Sequence, residues 1–192
     1  MSLEPSPAGS WMDEVAGRLA AHERPPVEAP EGRRRAAVLV PLFVREGALH
    51  VLLTRRTDTV EHHRGQISFP GGVEEVEDAT PFETAVRETE EELGIAPGDV
   101  RRLGDLTPLV TVTDFFVEPF VGAIPYPHAL RPAEAEIAEV IDVPVAALLA
   151  PGVLEERVLP GRFEPTPFYR HGEHVIWGAT ARMLKELLDA LR

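Results

Sequence analysis

Apolar positions along this chain follow two rhythms, one helical and one alternating or continuous. Trp11, Met12, Val15, Ala16, Leu19 and Ala20 recur at helical spacing and predict a short helix over residues 11–22. The next stretch, "ERPPVEAPEG" (23–32), is rich in proline and polar residues and reads as a linker or an extended crossing. "AAVLVPLFV" (36–44) predicts a buried strand, in which Pro41 points to an edge position or a bulge. After "REG", the run "ALHVLLT" (48–54) predicts its hairpin partner. "ISF" (67–69) is a short strand running into Pro70-Gly71-Gly72, and "LGDLTPLV" (103–110) and "FFVEPFVGAI" (115–124) are two more strands. "EIAEVIDV" (136–143) fits a strand leading into a short helix at "PVAALLA", and "EHVIWG" (173–178) a last strand. "ATARMLKELLDALR" then gives an amphipathic helix with Leu184, Leu187, Leu188 and Leu191 on one face. Strands and helices mix without the regular alternation of a doubly wound fold, and no internal repeat is visible. The expected organisation is an N-terminal helical extension and linker over 1–32, followed by one domain over 33–192.

One further helix departs from ordinary patterning. Thr80-Pro81-Phe82-Glu83 forms a capping box, with Pro81 at the first helical position, and Gly94 stands where a C-terminal glycine belongs. The helix between them, about 81–93, carries Phe82, Val86, Thr89 and Leu93 as a core stripe. Glu88, Glu91 and Glu92 fall on another face, with Arg87 beside them. Like charges three and four residues apart repel by about 0.2–0.5 kcal/mol per pair, so such a face calls for compensation. A solvated acidic surface is the ordinary explanation of a charge run. Here the clean capping, the Gly-Gly bend upstream and the shared face favour a second one: carboxylates that share one or more hard divalent cations, Mg²⁺ or Mn²⁺.

Composition narrows the chemistry. The chain has 192 residues, enough for one good-sized domain, and 44% of them are hydrophobic. It has no cysteine, which removes disulfides, thiolate metal sites and cysteine nucleophiles. The formal net charge of −13 argues against nucleic acid as a partner and requires a cation to mediate any anionic substrate. No apolar run is long enough to span a bilayer, and "MSLEPSPAGSWMDEV" lacks the basic start and apolar stretch of a signal peptide. The expected compartment is the cytoplasm. Against the acidic background, Arg55, Arg56, His62, His63 and Arg64 make a locally basic patch. The histidines read as surface residues and the arginines as phosphate contacts. "RRR" (33–35) reads as a solvated flank, and Trp177 as core. Phe115, Phe116 and Tyr126 are candidates to stack on an adenine, with strand packing the favoured role for the two phenylalanines.

The segment around the acidic helix resembles the Nudix hydrolase box, G-x5-E-x7-R-E-U-x-E-E-x-G-U, where U is bulky and apolar. Counting from Gly72, the first acidic position falls on Asp78, and Arg87 follows one residue later than in that pattern; Arg87, Glu88, Glu91, Glu92, Gly94 and Ile95 then match, with Thr89 at the first U. The longer spacing is similar to that of the coenzyme A pyrophosphatase branch, whose upstream signature is L-L-T-x-R-[SA]-x3-R-x3-G-x3-F-P-G-G. "LLTRRTDTVEHHRGQISFPGG" (52–72) matches at Leu52, Leu53, Thr54, Arg56, Gly65, Phe69, Pro70, Gly71 and Gly72. Thr57 replaces the small residue, and Glu61 stands where the family has its second arginine, with Arg64 close by.

The resemblance implies an α/β (α+β) Nudix fold, a mixed β-sheet sandwiched between α-helices, and a hydrolase acting on a diphosphate bond. It implies Mg²⁺ or Mn²⁺ as cofactor, with Glu88 and Glu92 as ligands, Glu91 as a third ligand or the base that orients water, and Gly71 and Gly72 letting backbone approach metal and phosphate. Arg87 would position Glu91, and a downstream acid would assist: Glu136, with Glu134 and Glu139 as rivals. Arg55, Arg56 and Arg64 would contact substrate phosphate. The implied substrate is coenzyme A or a derivative, cleaved to 3′,5′-ADP and (acyl-)4′-phosphopantetheine. The alternatives are a Nudix hydrolase of another nucleotide, such as ADP-ribose or a nucleoside triphosphate, and a non-catalytic nucleotide-sensing module.

Overall fold

The apolar run of residues 36–44 lies inside a long strand that is paired along both edges. The structure, a computed structural model, describes residues 10–57, 65–159, 161 and 164–192. It begins with helix α1 (Trp11–Ala21), capped by Ser10, whose hydroxyl accepts from the Asp13 amide. Strands β1 (Arg34–Arg45) and β2 (Ala48–Arg56) form the expected hairpin, turned by Glu46 and Gly47, both at positive φ. Then follow β3 (Ile67–Ser68), β4 (Gly71–Val73), helix α2 (Pro81–Leu93), β5 (Arg101–Asp105), β6 (Leu109–Val110), β7 (Phe115–Ala123) and β8 (Ile137–Pro144). A short helix α3 (Val145–Leu148), strands β9 (Leu154–Val158), β10 (Pro165–His171) and β11 (His174–Trp177), and helix α4 (Gly178–Ala190) complete the described elements.

The larger sheet is mixed. β1 pairs in parallel with β7, and the other pairings in it are antiparallel. With β7 along one edge of β1, its other edge is shared. Leu42–Arg45 pair with β2, and Ala36–Val38 pair with β4. β2 is likewise shared, pairing with β8 on one side and with β1 and then β3 on the other. The two hairpin strands therefore diverge like a fork, and β3 and β4 fill the gap. Pro41 is not at a sheet edge, as its lack of an N–H had suggested. Leu39 N donates to Pro70 O across the fork, and Pro41, two residues on, faces the same way where neither β4 nor β2 is paired. The missing donor falls where no acceptor waits.

Both faces of the sheet are buried, which explains the continuous apolar run of β1. Leu39 and Phe43 of β1, Leu52 of β2 and Phe120 of β7 lie on the side packed by α2, with Ala85 and Leu93. Val40, Leu42, Val51, Leu53 and Val121 lie on the opposite side in the larger core. That core also takes Trp11, Val15 and Leu19 of α1 and Leu184, Leu187 and Leu188 of α4. The strand expected over 103–110 is split into β5 and β6 at Leu106–Pro108. A second, three-stranded antiparallel sheet, β11-β10-β9, packs on α4. Only its last strand was legible in the sequence. Among the described residues no helix is long and apolar enough to cross a membrane.

Candidate active site

The fork and α2 meet at Gly71 and Gly72. α2 is built as its sequence predicts: Thr80 Oγ accepts from Glu83 N, Glu83 reaches back to the Ala79 amide, and Gly94 closes the helix at φ 73°. Buried Ala85, Val86, Thr89 and Leu93 seat the helix on the sheet. Neither position opposite has free room for a side chain: at Gly71 the backbone of β1 stands in the way, at Gly72 the end of a side chain. A Cβ on Gly71, at φ 151°, would lie 2.3 Å from Ala37 O. A Cβ on Gly72 would lie 2.4 Å from the Glu88 carboxyl group.

The three glutamates do not share one environment, as the helical wheel had suggested. Glu92 is 4% exposed, Glu88 is half-buried against Gly72, and Glu91 is 60% exposed on the outer side. Glu92 receives the Gly71 amide at 3.4 Å and Arg56 Nη1 at 3.3 Å. Burial pushes its carboxyl up to about 7 against the pull of Arg56, and the nearby charge of Glu88 pushes it further. Burial also raises Glu88, opposed by Arg87. Two carboxylates thus sit close together with less positive charge around them than their ionised forms need.

Arg87 is the organiser of the outer side. It bonds Asp78 with Nε at 3.1 Å and Nη2 at 3.0 Å, and Nη2 also donates to Val73 O. Its Nη1 donates to Glu88 at 3.0 Å and Glu91 at 3.2 Å. Asp78 is buried, accepts from Thr84 Oγ and the Glu75 amide, and is held down to about 2, chiefly by its hydrogen bonds from Arg87. Sequence reasoning placed Asp78 in the box but missed that it is the anchor of Arg87.

Of the three downstream acids, Glu136 is brought to this corner. It lies just before β8, receives Arg56 Nη2 at 3.2 Å, and its charge is felt at both Glu88 and Glu92. Glu139 is taken by Arg55 at 2.8 Å, with His174 at 3.4 Å, and Glu134 is exposed. Arg64, Glu61, His62 and His63 lie outside the described residues.

Beside the fork opens a cleft of about 640 Å³. Gly71, Gly72 and Arg56 line it together with Val110, Val117, Trp177 and Met183. Trp177, expected in the core, is 44% exposed here, stacked parallel to Phe168. Phe115 lines the cleft under the Arg34 guanidinium, while Phe116 is buried. Tyr126 stands elsewhere, stacked on Phe43.

Among the described residues, no three acidic or histidine side chains converge tightly enough to cage a metal ion by themselves. The donor set nonetheless suits Mg²⁺ or Mn²⁺, which bind through one or two carboxylates and complete their shell with water and substrate phosphate. The Glu88–Glu92 pair, undercompensated in charge and facing a Cβ-free strand, meets that demand.

A NUDIX domain model matches residues 33–162. The chain is 36% identical over 170 residues to the uncharacterized Nudix hydrolase NudL of Photorhabdus laumondii, covering 88% of this chain and 90% of that one. It is 37% identical over 166 residues to the NudL of Citrobacter koseri, covering 81% of each. Among solved structures, a MutT/nudix protein of Listeria innocua superposes with a TM-score of 0.53 at 19% identity, covering 85% of this chain and 96% of that one. One from Enterococcus faecalis gives 0.53 at 18% identity, over 92% and 66%. The forked mixed sheet, the capped acidic helix and these likenesses agree: the chain belongs to the Nudix family and is a hydrolase of pyrophosphate bonds.

Proposed function

We propose that this protein hydrolyses the diphosphate of coenzyme A and its derivatives, with Mg²⁺ or Mn²⁺, giving 3′,5′-ADP and (acyl-)4′-phosphopantetheine. The observation that carries this reading is the run Leu52–Gly72. Its described parts form the end of β2, one arm of the fork, together with β3 and the start of β4, which fill it, and from Arg56 to Gly72 they supply part of the cleft lining. The stretch whose sequence resembles the coenzyme A branch is thus one of those that line the cleft.

Glu88 and Glu92, with the backbone of Gly72, would hold the cation, and Glu91 would serve as a third ligand or as the base. Bound there, it supplies charge neutralisation on the diphosphate oxygens and acidifies a water. The protein's own groups do the rest. In hydrolysis the oxygen of water bonds to one phosphorus, the bridging oxygen leaves with the other phosphate, and one proton of the water passes to a base. Glu91 and Glu136 are the exposed carboxylates of the corner, each held by an arginine, Arg87 and Arg56. Either has room to take that proton. Arg56 stands between Glu92 and Glu136 on the cleft wall, where its fork also meets a phosphate oxygen. A cytoplasmic setting agrees with such a substrate.

The test is a substrate panel: coenzyme A, an acyl-coenzyme A, ADP-ribose, NADH and nucleoside triphosphates, each with Mg²⁺ and with Mn²⁺, products identified by mass. Release of 3′,5′-ADP at the highest kcat/KM supports the reading. Faster turnover of ADP-ribose or a triphosphate replaces it.

A further inference from the structure

The cleft differs from the rest of this acidic protein. Among the described residues that line it there is no aspartate or glutamate, and the cations are Arg56 and Arg182. Arg56 is committed at both Nη atoms, to Glu92 and Glu136. Arg182, on α4, is exposed and makes no ion pair among the described residues. The helix around it explains why. The acid four residues on, Glu186, is engaged elsewhere: its Oε1 accepts from Thr107 N at 2.9 Å and Thr107 Oγ at 2.7 Å, and lies 3.6 Å from His22 Nε2. Lys185 takes Asp189 at 2.7 Å. Arg182 also borders a neighbouring hollow that holds Glu156, Glu186 and Asp189, yet none of these pairs with it. In a chain with a net charge of −13, no described acid pairs with this guanidinium, and the described lining of the cleft, apart from Arg56 and Gln66, is apolar or hydroxylic.

We propose that Arg182 is a specificity-determining residue that receives a phosphate monoester carried by the substrate away from the scissile diphosphate. The inference rests on the function proposed above and deepens it, since coenzyme A carries such a group on its ribose. A phosphate monoester brings roughly 1.5–2 negative charges, and a free guanidinium fork matches its oxygens. The diphosphate belongs to the corner of Glu88, Glu92 and Arg56, and the second phosphate to α4, whose Arg182 lines the same cleft as Arg56. Neither Arg55, held by Glu139 outside the cleft lining, nor Arg56 is free in this way.

The test is titration calorimetry of the full chain with Ca²⁺, using adenosine 3′,5′-bisphosphate and adenosine 5′-monophosphate as probes. Wild type binds the bisphosphate about ten-fold tighter or more. Arg182→Ala removes that preference and leaves the monophosphate affinity unchanged, while Arg182→Lys, which keeps the charge but not the fork, retains part of it. A wild type without preference, or an Arg182→Ala protein that keeps it, overturns the inference. Hydrolysis separates this from the parent reading. If wild type turns over coenzyme A and Arg182→Ala slows coenzyme A and 3′-dephospho-coenzyme A equally, the role of Arg182 falls and the activity stands. If wild type leaves coenzyme A intact but its bisphosphate preference depends on Arg182, the activity falls and the role of Arg182 stands.

Discussion

Glu92 is a carboxyl group buried against its own preference, and its neighbour Glu88 makes the position worse. Glu92→Gln keeps the shape and removes the charge, and its one amide oxygen keeps one of the two bonds that the carboxylate accepts, from Arg56 on one oxygen and from the Gly71 amide on the other. Without divalent cation this variant melts about 2–4 °C higher, the shift that ~1 kcal/mol gives a chain of this size. It loses most turnover and no longer gains melting temperature from Mg²⁺, because linkage to a bound ion is gone. Full activity in the folded variant would remove Glu92 from the metal site. Asp78 is the opposite kind of residue, an ionised carboxylate that Arg87 stabilises. Asp78→Asn leaves that guanidinium half-paired and costs about 3 kcal/mol by urea unfolding at neutral pH. The folded carboxyl is depressed to about 2 from an ordinary value near 3.8, so its contribution is whole above about pH 4 and fades as pH falls towards 2. The difference between wild type and Asp78→Asn should therefore shrink in acid; a constant gap from pH 7 to 3 would refute the assignment. Glu88, Glu91, Glu92 and Arg87 were legible because their spacing on a capped helix repeats a known box. The Asp78–Arg87 pair was not, because loop 74–80 sets it and no helical periodicity reaches across that loop.

Among the elements, the fork carries the strictest demand on sequence. Gly71→Ala pushes a Cβ into the backbone of β1 at a φ that side chains rarely adopt, so it should lose about 2–3 kcal/mol or more of stability. Gly72→Ala instead meets the movable end of Glu88. Its expected outcome is near-normal unfolding with strongly reduced turnover, since the displaced group is a carboxylate of the site. Circular dichroism melts beside kcat separate the two variants, and equal stability losses would mean that Gly72 is also a backbone requirement. The strands of the large sheet were readable because burial on both faces leaves continuous apolar runs. β9 and β10 were not. β9 is exposed along most of its length, and β10, the middle strand, carries Pro165 and Pro167, which argue against a central strand; both precede Phe168, where pairing with β11 begins.

At the scale of the whole molecule, charge decides how substrate arrives. With a net charge of −13, the protein repels an anionic nucleotide, and the corner proposed to receive the diphosphate adds Glu88, Glu92 and Glu136. Calorimetry with chelator should show weak binding of adenosine 3′,5′-bisphosphate, and Ca²⁺ should strengthen it at least ten-fold. Equal affinities would confine the metal to the chemical step. Helix α1 bears on a different matter. Its Trp11, Val15 and Leu19 fill the back of the sheet beside α4, and Arg18 donates to Leu191 O near the far end of the chain. The stretch recognisable as family, 33–162, contains neither helix. Anyone excising that stretch for expression, or grafting it into a chimera, would carry away the reaction corner and leave behind the lid of its hydrophobic floor. The excised piece should aggregate, while the two ends, far apart in sequence, act as one clasp.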